Sequence, residues 1–373
     1  MRVESFDGKF NYRLKFVILI AAFLVVFFGS FLIGRYAVGF ADLLKILVNQ
    51  FLIVVGRTIN GFSAFIGRVF NKPIRRASFG LEQTWNSAAE TVVINVRMPR
   101  VIAAMVIGAA LSSAGASYQG MFRNPMVSPD ILGASTGAGF GAALGIMMGF
   151  GYAGITVLSF FFGLGAVLLA YAVSRASRLD STLSMVLAGI MVSSLLSAGT
   201  SFLKLVADTV NQLPAITYWL LGSLNSIKGS DALFVAILVV AGLIPLILLR
   251  WRINLLTVSE DEAKSLGINT GRLRFAVIIS ATLITAASVS VSGMIGWVGL
   301  VIPHFCRLMF GYDYRRLIPA SILLGGAFMM VVDNLSRTVT TAEIPLGVLT
   351  AFVGAPVFVW LILRGGGKSA NNE

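Results

Sequence analysis

Reactive side chains are scarce in this 373-residue chain, which has one cysteine, one histidine, sixteen carboxylates and only 12% charged residues. A single cysteine, Cys306, excludes an intrachain disulfide. His304 has no second histidine to share a metal, and Cys306 two residues later does not complete a ligand set, because metal sites need several ligands. In Ile302-Pro303-His304-Phe305 the histidine reads as a structural hydrogen bonder at a helix break. The tail Gly365-Gly366-Gly367-Lys368-Ser369 has Ile362 where a phosphate loop needs its first glycine, and the chain stops at Glu373 before a helix can follow. These absences leave no catalytic group, no resident metal and no cofactor, so any ATP is expected to be hydrolysed by another chain.

What the chain has instead is hydrocarbon. Apolar residues make up 57% of it, and the mean hydropathy is +0.88. Soluble domains are about half apolar and a quarter charged, so the chain belongs in a bilayer. Spans need roughly 20 apolar residues. Ten such runs fall at about 14–34, 97–121, 131–149, 152–174, 182–205, 232–249, 274–293, 295–310, 317–336 and 346–363. The fold class is therefore all-α and polytopic, with about ten transmembrane helices. Residues 1–13 form an N-terminal segment, 14–364 one transmembrane domain and 365–373 a flexible tail. No small-residue cleavage site follows the first run, which reads as an anchor.

A cytoplasmic N-terminus with ten crossings puts 17 of the 29 lysines and arginines inside and 12 outside. Nine of those 12 lie between Arg35 and Arg100, in a connection too long to obey the positive-inside bias. Both termini are then cytoplasmic. Basic loops on an anionic leaflet account for the net charge of +13, and no nucleic acid is needed. Within the external insertion 35–96, Ala37 to Gly56 and Thr58 to Phe70 are apolar but broken by Asp42, Lys45, Arg57 and Arg68. They read as two helices lying in the interface, with an eleventh span as the competing reading.

Several local patterns bear on function. Gly133, Gly137, Gly141, Gly145 and Gly149 are spaced four apart, which would stack all five on one helical face for close packing. Pro125 denies an N–H to a continuing helix and disfavours helical geometry at Asn124, so the span that starts near Arg97 should break there. Between the sixth and seventh runs lies Ser259-Glu260-Asp261-Glu262-Ala263-Lys264-Ser265-Leu266-Gly267. Ser259 with Glu262 forms a capping box, the acids suit a helix N-terminus and Gly267 suits its stop. So short a helix is marginal alone in water, which implies docking on a partner at the cytoplasmic face; a solvated loop is the plainer alternative. An ion-coupled carrier would need an intramembrane carboxylate. Asp333 is the nearest candidate, but Arg337 one turn later explains it as an ion pair.

Several blocks resemble the FecCD-type permeases, the membrane subunits of ATP-driven importers for iron-siderophores, haem and cobalamin. They are Arg97-Met98-Pro99-Arg100, Gln119-Gly120-Met121-Phe122-Arg123-Asn124-Pro125, Ser265-Leu266-Gly267, Gly293 through His304, Glu343-Ile344-Pro345-Leu346-Gly347 and Gly354-Ala355-Pro356. The resemblance implies a type II importer permease in the cytoplasmic membrane, paired as a homodimer or pseudodimer. It also implies two ATPase subunits that bind ATP and Mg, and an external substrate-binding protein. It places docking arginines at Arg97, Arg100 and Arg337, for which lipid-headgroup anchoring is the alternative. It places a cytoplasmic constriction at Asn124 and Met126, with a second narrow point at Ser181 and Thr182. Ser128-Pro129-Asp130-Ile131-Leu132-Gly133 looks closest to the iron-siderophore members.

Overall fold

The computed structural model describes residues 6–69, 80–177, 181–258, 260–265, 267 and 269–366. Among them are fourteen α-helices. The first is α1 (Phe6–Leu32), followed by α2 (Phe40–Val69). α3 (Ser87–Thr91) runs through a π-helical turn (Val92–Arg97) into α4 (Met98–Met121). A 3-10 turn (Pro129–Leu132) leads to α5 (Ala134–Met147), α6 (Tyr152–Ala176), α7 (Ser181–Val206) and α8 (Gln212–Leu221). The chain closes with α9 (Gly229–Leu256), α10 (Glu260–Ser265), α11 (Thr270–Ser292), α12 (Val298–Phe310), α13 (Tyr314–Thr338) and α14 (Leu346–Gly366).

Seven helical stretches are long and apolar enough to cross a membrane: α1, α3 with α4, α6, α7, α9, α11 and α13. The shorter apolar helices α5, α12 and α14 complete the set. These ten stretches match the ten apolar runs one for one.

Lipid cannot drive helices together by the hydrophobic effect, so small residues and close backbones do that work. The apolar stretches of α4 and α11 are 83% and 78% buried, against 17% for α1 and α7, which makes α4 and α11 the central staves. α4 meets α13 where Gly108 faces Gly325, and it meets α12 where Gly115 faces the backbone of Gly299. Ser112 Oγ donates to the Ser321 carbonyl at 2.6 Å across the first of these contacts. A methyl group at Gly108 or Gly115 would overlap main-chain atoms.

Three expectations need correction. The glycine ladder does not form one face, because α5 begins after Gly133 and ends before Gly149. Gly133 and Gly149 have φ of +89° and +73°, left-handed values that suit helix ends and favour glycine. Only Gly137, Gly141 and Gly145 are helical, and they lie against α6. An added Cβ would sit 2.5 Å from the Phe162 and Leu158 carbonyls at the first two, and 3.2 Å from Ile155 Cα at the third.

The insertion holds one continuous helix, α2, where two were expected, since Gly56-Arg57 does not interrupt it. Leu43, Ile46 and Asn49 form its buried stripe, and Asn49 Oδ1 accepts the Leu81 N–H at 2.8 Å, holding the returning chain. α2 is not among the candidate spans. Residues 70–79 of the insertion lie outside the described residues.

His304 is not at a helix break, because α12 continues through Pro303. The missing proline N–H frees the Gly299 carbonyl one turn earlier, and Gln119 Nε2 donates to that carbonyl at 3.3 Å. The break is avoided because a neighbouring helix supplies the donor.

Candidate functional site

The two ends of α4 carry different chemistry. At its start, the chain enters through the π-helical turn, Pro99 occupies the first turn, and Arg97 and Arg100 fall three apart on one side. Arg97 Nη1 donates to the Phe31 carbonyl at 2.5 Å and Nη2 donates to the Tyr36 carbonyl, so this guanidinium caps the end of α1. Gly34 makes room for it, since a Cβ there would lie 2.6 Å from Arg97 Nη2.

Arg100 reaches the other way. Its Nε meets Asp333 Oδ1 at 2.6 Å and its Nη1 meets Glu343 Oε1 at 2.9 Å. Asp333 Oδ2 also faces Arg337 Nε at 3.2 Å, the one-turn pair visible in the sequence. Arg337 Nη2 donates to Asn334 Oδ1 and to the Ser30 carbonyl.

The three arginines expected to face a partner are thus turned into the protein, with exposures of 3%, 5% and 9% for Arg97, Arg100 and Arg337. Burial of such charges is costly unless they are paired, and the pairing here is incomplete. Arg100 Nη2 and Glu343 Oε2 are buried without a hydrogen-bond partner. Both residues line a cavity of about 390 Å³ together with Arg35, Arg97, Arg337 and Asn95. Among the residues that line this cavity, arginines outnumber carboxylates. Asp333 as the partner of Arg100, and Glu343 as a participant, were missed by sequence reading. Asp333 lies 233 residues from Arg100 in sequence, beyond the reach of any local pattern.

At the other end, α4 stops at Met121 and the chain turns through Phe122, Arg123, Asn124 and Pro125. Asn124 Oδ1 accepts the Met126 N–H at 2.9 Å, a side-chain turn that replaces the helix Pro125 cannot continue. Met126 is 50% exposed. Gln119 anchors the loop from behind, donating from Nε2 to the Val127 carbonyl at 3.1 Å, while Arg307 Nη2 donates to Gln119 Oε1. Gln119 and Arg307 were not singled out by sequence reading, although Gln119 stands in a block that was.

Ser181 begins α7. The approach of α7 to the 3-10 turn is made deeper in, where Gly189 lies against Ile131 and Ser193 against Gly133. The acidic element is present as α10, with Ala263 buried and Ser265 Oγ donating to the Glu262 carbonyl at 2.8 Å. Gly267 follows with a φ of +75°, the left-handed stop expected of it. Ser259 and Leu266 lie outside the described residues, and so does the Ser259 capping box. Among the described residues no cluster of three His, Cys, Asp or Glu can hold a metal ion.

A family model, described as the FecCD transport family, matches residues 19–364. The chain belongs to the FecCD transport family. FecCD relatives include a probable iron chelatin transport system permease protein of Helicobacter pylori, 42% identical over 74% of this chain and 84% of that one. The molybdate import system permease protein MolB of Haemophilus influenzae is 39% identical over 74% of this chain and 83% of that one. A solved structure of a putative metal-chelate type ABC transporter in an inward-facing conformation superposes with a TM-score of 0.78 at 32% identity. It covers 94% of this chain and 99% of its own. This FecCD member is accordingly a multi-pass membrane permease of an ABC transporter, and ATP hydrolysis in such systems belongs to separate ATPase subunits.

Proposed function

We propose that this permease forms half of the translocation pathway of an ATP-driven importer for a metal-chelate-type solute, of which an iron-siderophore is the foremost member. The observation that carries the reading is the opposition of the two ends of α4. One end bears a buried arginine surplus beside a cavity, and the other stops at a loop shaped by Asn124, in a chain that also carries the acidic helix α10.

On this reading the arginine end faces outward and both termini lie in the cytoplasm. A carboxylate of an external binding protein enters the cavity, engages the spare Arg100 Nη2 and competes with Glu343 for the guanidinium, a charge-assisted exchange that Arg geometry favours. Arg97 supports the site by fixing α1. α10 docks in a partner ATPase, one for each of two permease copies, and ATP with Mg binds there. α7 and α14 present exposed apolar faces, including Leu195, Phe202 and Phe352, which suit a second copy of this chain and lipid. Ser194 and Ser197 are exposed on α7 and suit a wet pathway wall. Asn124 and Met126, with Ser181 and Thr182, form the inner constriction.

The chelate assignment is supported by the 42% identical iron chelatin relative and by the metal-chelate type transporter of matching fold. The 39% identical molybdate permease favours a second reading in which the cargo is an oxyanion. Haem and cobalamin are the remaining readings. Competition uptake with the assembled importer in vesicles separates them. A ferric siderophore should be accumulated at the expense of ATP, while uptake of molybdate, haem or cobalamin alone would replace the assignment.

A further inference from the structure

Arg123 is outside every role assigned above, yet its geometry is the least ordinary in the gate loop. Its φ is +53°, a left-handed conformation that residues with a Cβ seldom adopt, and the backbone holds it with an Arg123 N–H to Gly120 carbonyl bond of 3.3 Å. Its Nε donates to the carbonyl of Leu256 at 2.9 Å.

Leu256 is the last residue of α9, so its carbonyl has no intrahelical donor, and a guanidinium there also meets the negative end of the helix dipole. The next element after Leu256 is α10, which starts at Glu260. Immediately after Arg123 stands Asn124, whose side chain shapes the turn at Met126. One side chain thus spans from the gate loop to the last helical carbonyl before the acidic foot.

Two neighbouring contacts define what this bond can transmit. Asn254 Nδ2 donates to Asp313 Oδ1 at 2.8 Å and Asn254 Oδ1 accepts the Tyr314 N–H at 3.0 Å, which pins the final turn of α9 to the start of α13. Gly120 packs on Ile253, so the body of α4 rides on α9 one turn further in. Among the described residues, the Arg123 bond is the one side-chain hydrogen bond that joins residues 122–127 to α9. A shift of the end of α9 that leaves the Gly120 contact in place would reach Asn124 and Met126 through Arg123.

We infer that Arg123 is the positioning residue that couples the acidic foot to the gate: it fastens the gate loop to the end of α9, so that displacement of α10 opens or closes the loop. The inference rests on the importer reading above. Leu256 contributes only its carbonyl, so the tie is altered from the Arg123 side.

The test uses the complete importer in vesicles, with solute accumulated per ATP hydrolysed as the readout. Arg123→Ala should retain ATP hydrolysis within about twofold and lose about tenfold in solute moved per ATP, the pattern of a broken link rather than a lost step. Arg123→Lys, which keeps a cationic donor for the carbonyl, should recover most of the ratio. A rigid covalent tie should substitute for the bond. Joining Arg123→Cys to Thr257→Cys with a short bismaleimide should raise the ratio above that of the unlinked pair, and this comparison decides the matter if Arg123→Ala fails to assemble. An unchanged ratio in Arg123→Ala, or no gain from the tie, overturns the role of Arg123 while wild-type uptake leaves the importer reading standing. Absence of ATP-driven uptake in the wild type overturns both.

Discussion

Arg100 and Asp333 stand 233 residues apart and meet at 2.6 Å, closing the N-terminal end of α4 onto the C-terminal end of α13. The pair is buried, and Asp333 is shared with Arg337 one helical turn away. A carboxylate serving two buried guanidiniums holds two spans in register and keeps two charges tolerable away from water. Asp333→Asn should therefore lower stability by about 3 kcal/mol, the scale for removing one member of a buried pair. Thermal unfolding in detergent measures the loss, and an unchanged midpoint would show that water already screens the cluster.

Glu343 is the more exposed of the two carboxylates, and it occupies the Arg100 Nη1 that a docking partner would want. Glu343→Gln should tighten docking of the external binding protein several-fold, whereas Arg100→Ala should weaken it by about 1.5–3 kcal/mol, the range for a hydrogen bond to a charged group. Arg97→Ala should act differently, lowering thermal stability through the lost cap on α1. Equilibrium binding and unfolding, measured side by side, distinguish the two arginines; equal effects in both assays would remove the distinction.

Backbone contact between α4 and α12 allows nothing larger than glycine at position 115, because a Cβ would strike the Gly299 main chain, which has no flexible end to move aside. Gly115→Ala should cost about 1–3 kcal/mol, as overpacking does. Gly165, in α6, has open space where an alanine methyl would stand, with no neighbouring atom within 4 Å. Gly165→Ala should be neutral or slightly stabilising by helix propensity. Thermal midpoints of the two variants in the same detergent check the contrast, and a harmless Gly115→Ala would show that α12 can yield.

Much of the fold was legible because its cause is local. Apolar runs of span length, Pro125 at a helix end and Gly267 at a left-handed stop each act through their own neighbours. The Asp333–Arg337 pair was readable for the same reason, one turn apart on one helix. The partners that matter at the arginine cluster were not, since Arg100 meets Asp333 and Glu343 only after α4, α13 and the segment that leads into α14 have packed. The glycine ladder misled because equal spacing says nothing of where a helix begins, and α5 leaves two of the five glycines outside it. Pro303 misled because the carbonyl it frees is satisfied by Gln119 of another helix. The role proposed for Arg123 could not be read at all, as it depends on a positive φ and on a backbone carbonyl of α9.

At the proposed gate, Met126 is half exposed on a loop that Asn124 and Gln119 hold in place. If two copies face each other there, a Met126→Cys variant should cross-link across the dimer and stop uptake, with recovery on reduction. Native Cys306 is buried and should not interfere. Efficient cross-linking with full uptake would remove these residues from the pathway.

Replacing the acids of α10 tests the foot. Glu260→Ala, Asp261→Ala and Glu262→Ala together should leave the spans folded and reduce solute moved per ATP about tenfold, since the change removes charge complementary to a partner. Co-purification of the ATPase with the triple variant reports the docking itself. Wild-type coupling would assign the drive to another segment.

The central claim is that this permease does no chemistry and moves its solute only when ATPase partners act on it. Purified permease in vesicles, with and without those ATPases and with binding protein and solute supplied outside, tests it most directly. Accumulation against a gradient should require the ATPases and ATP together. Accumulation by the permease alone, driven by a proton or sodium gradient, would contradict the account.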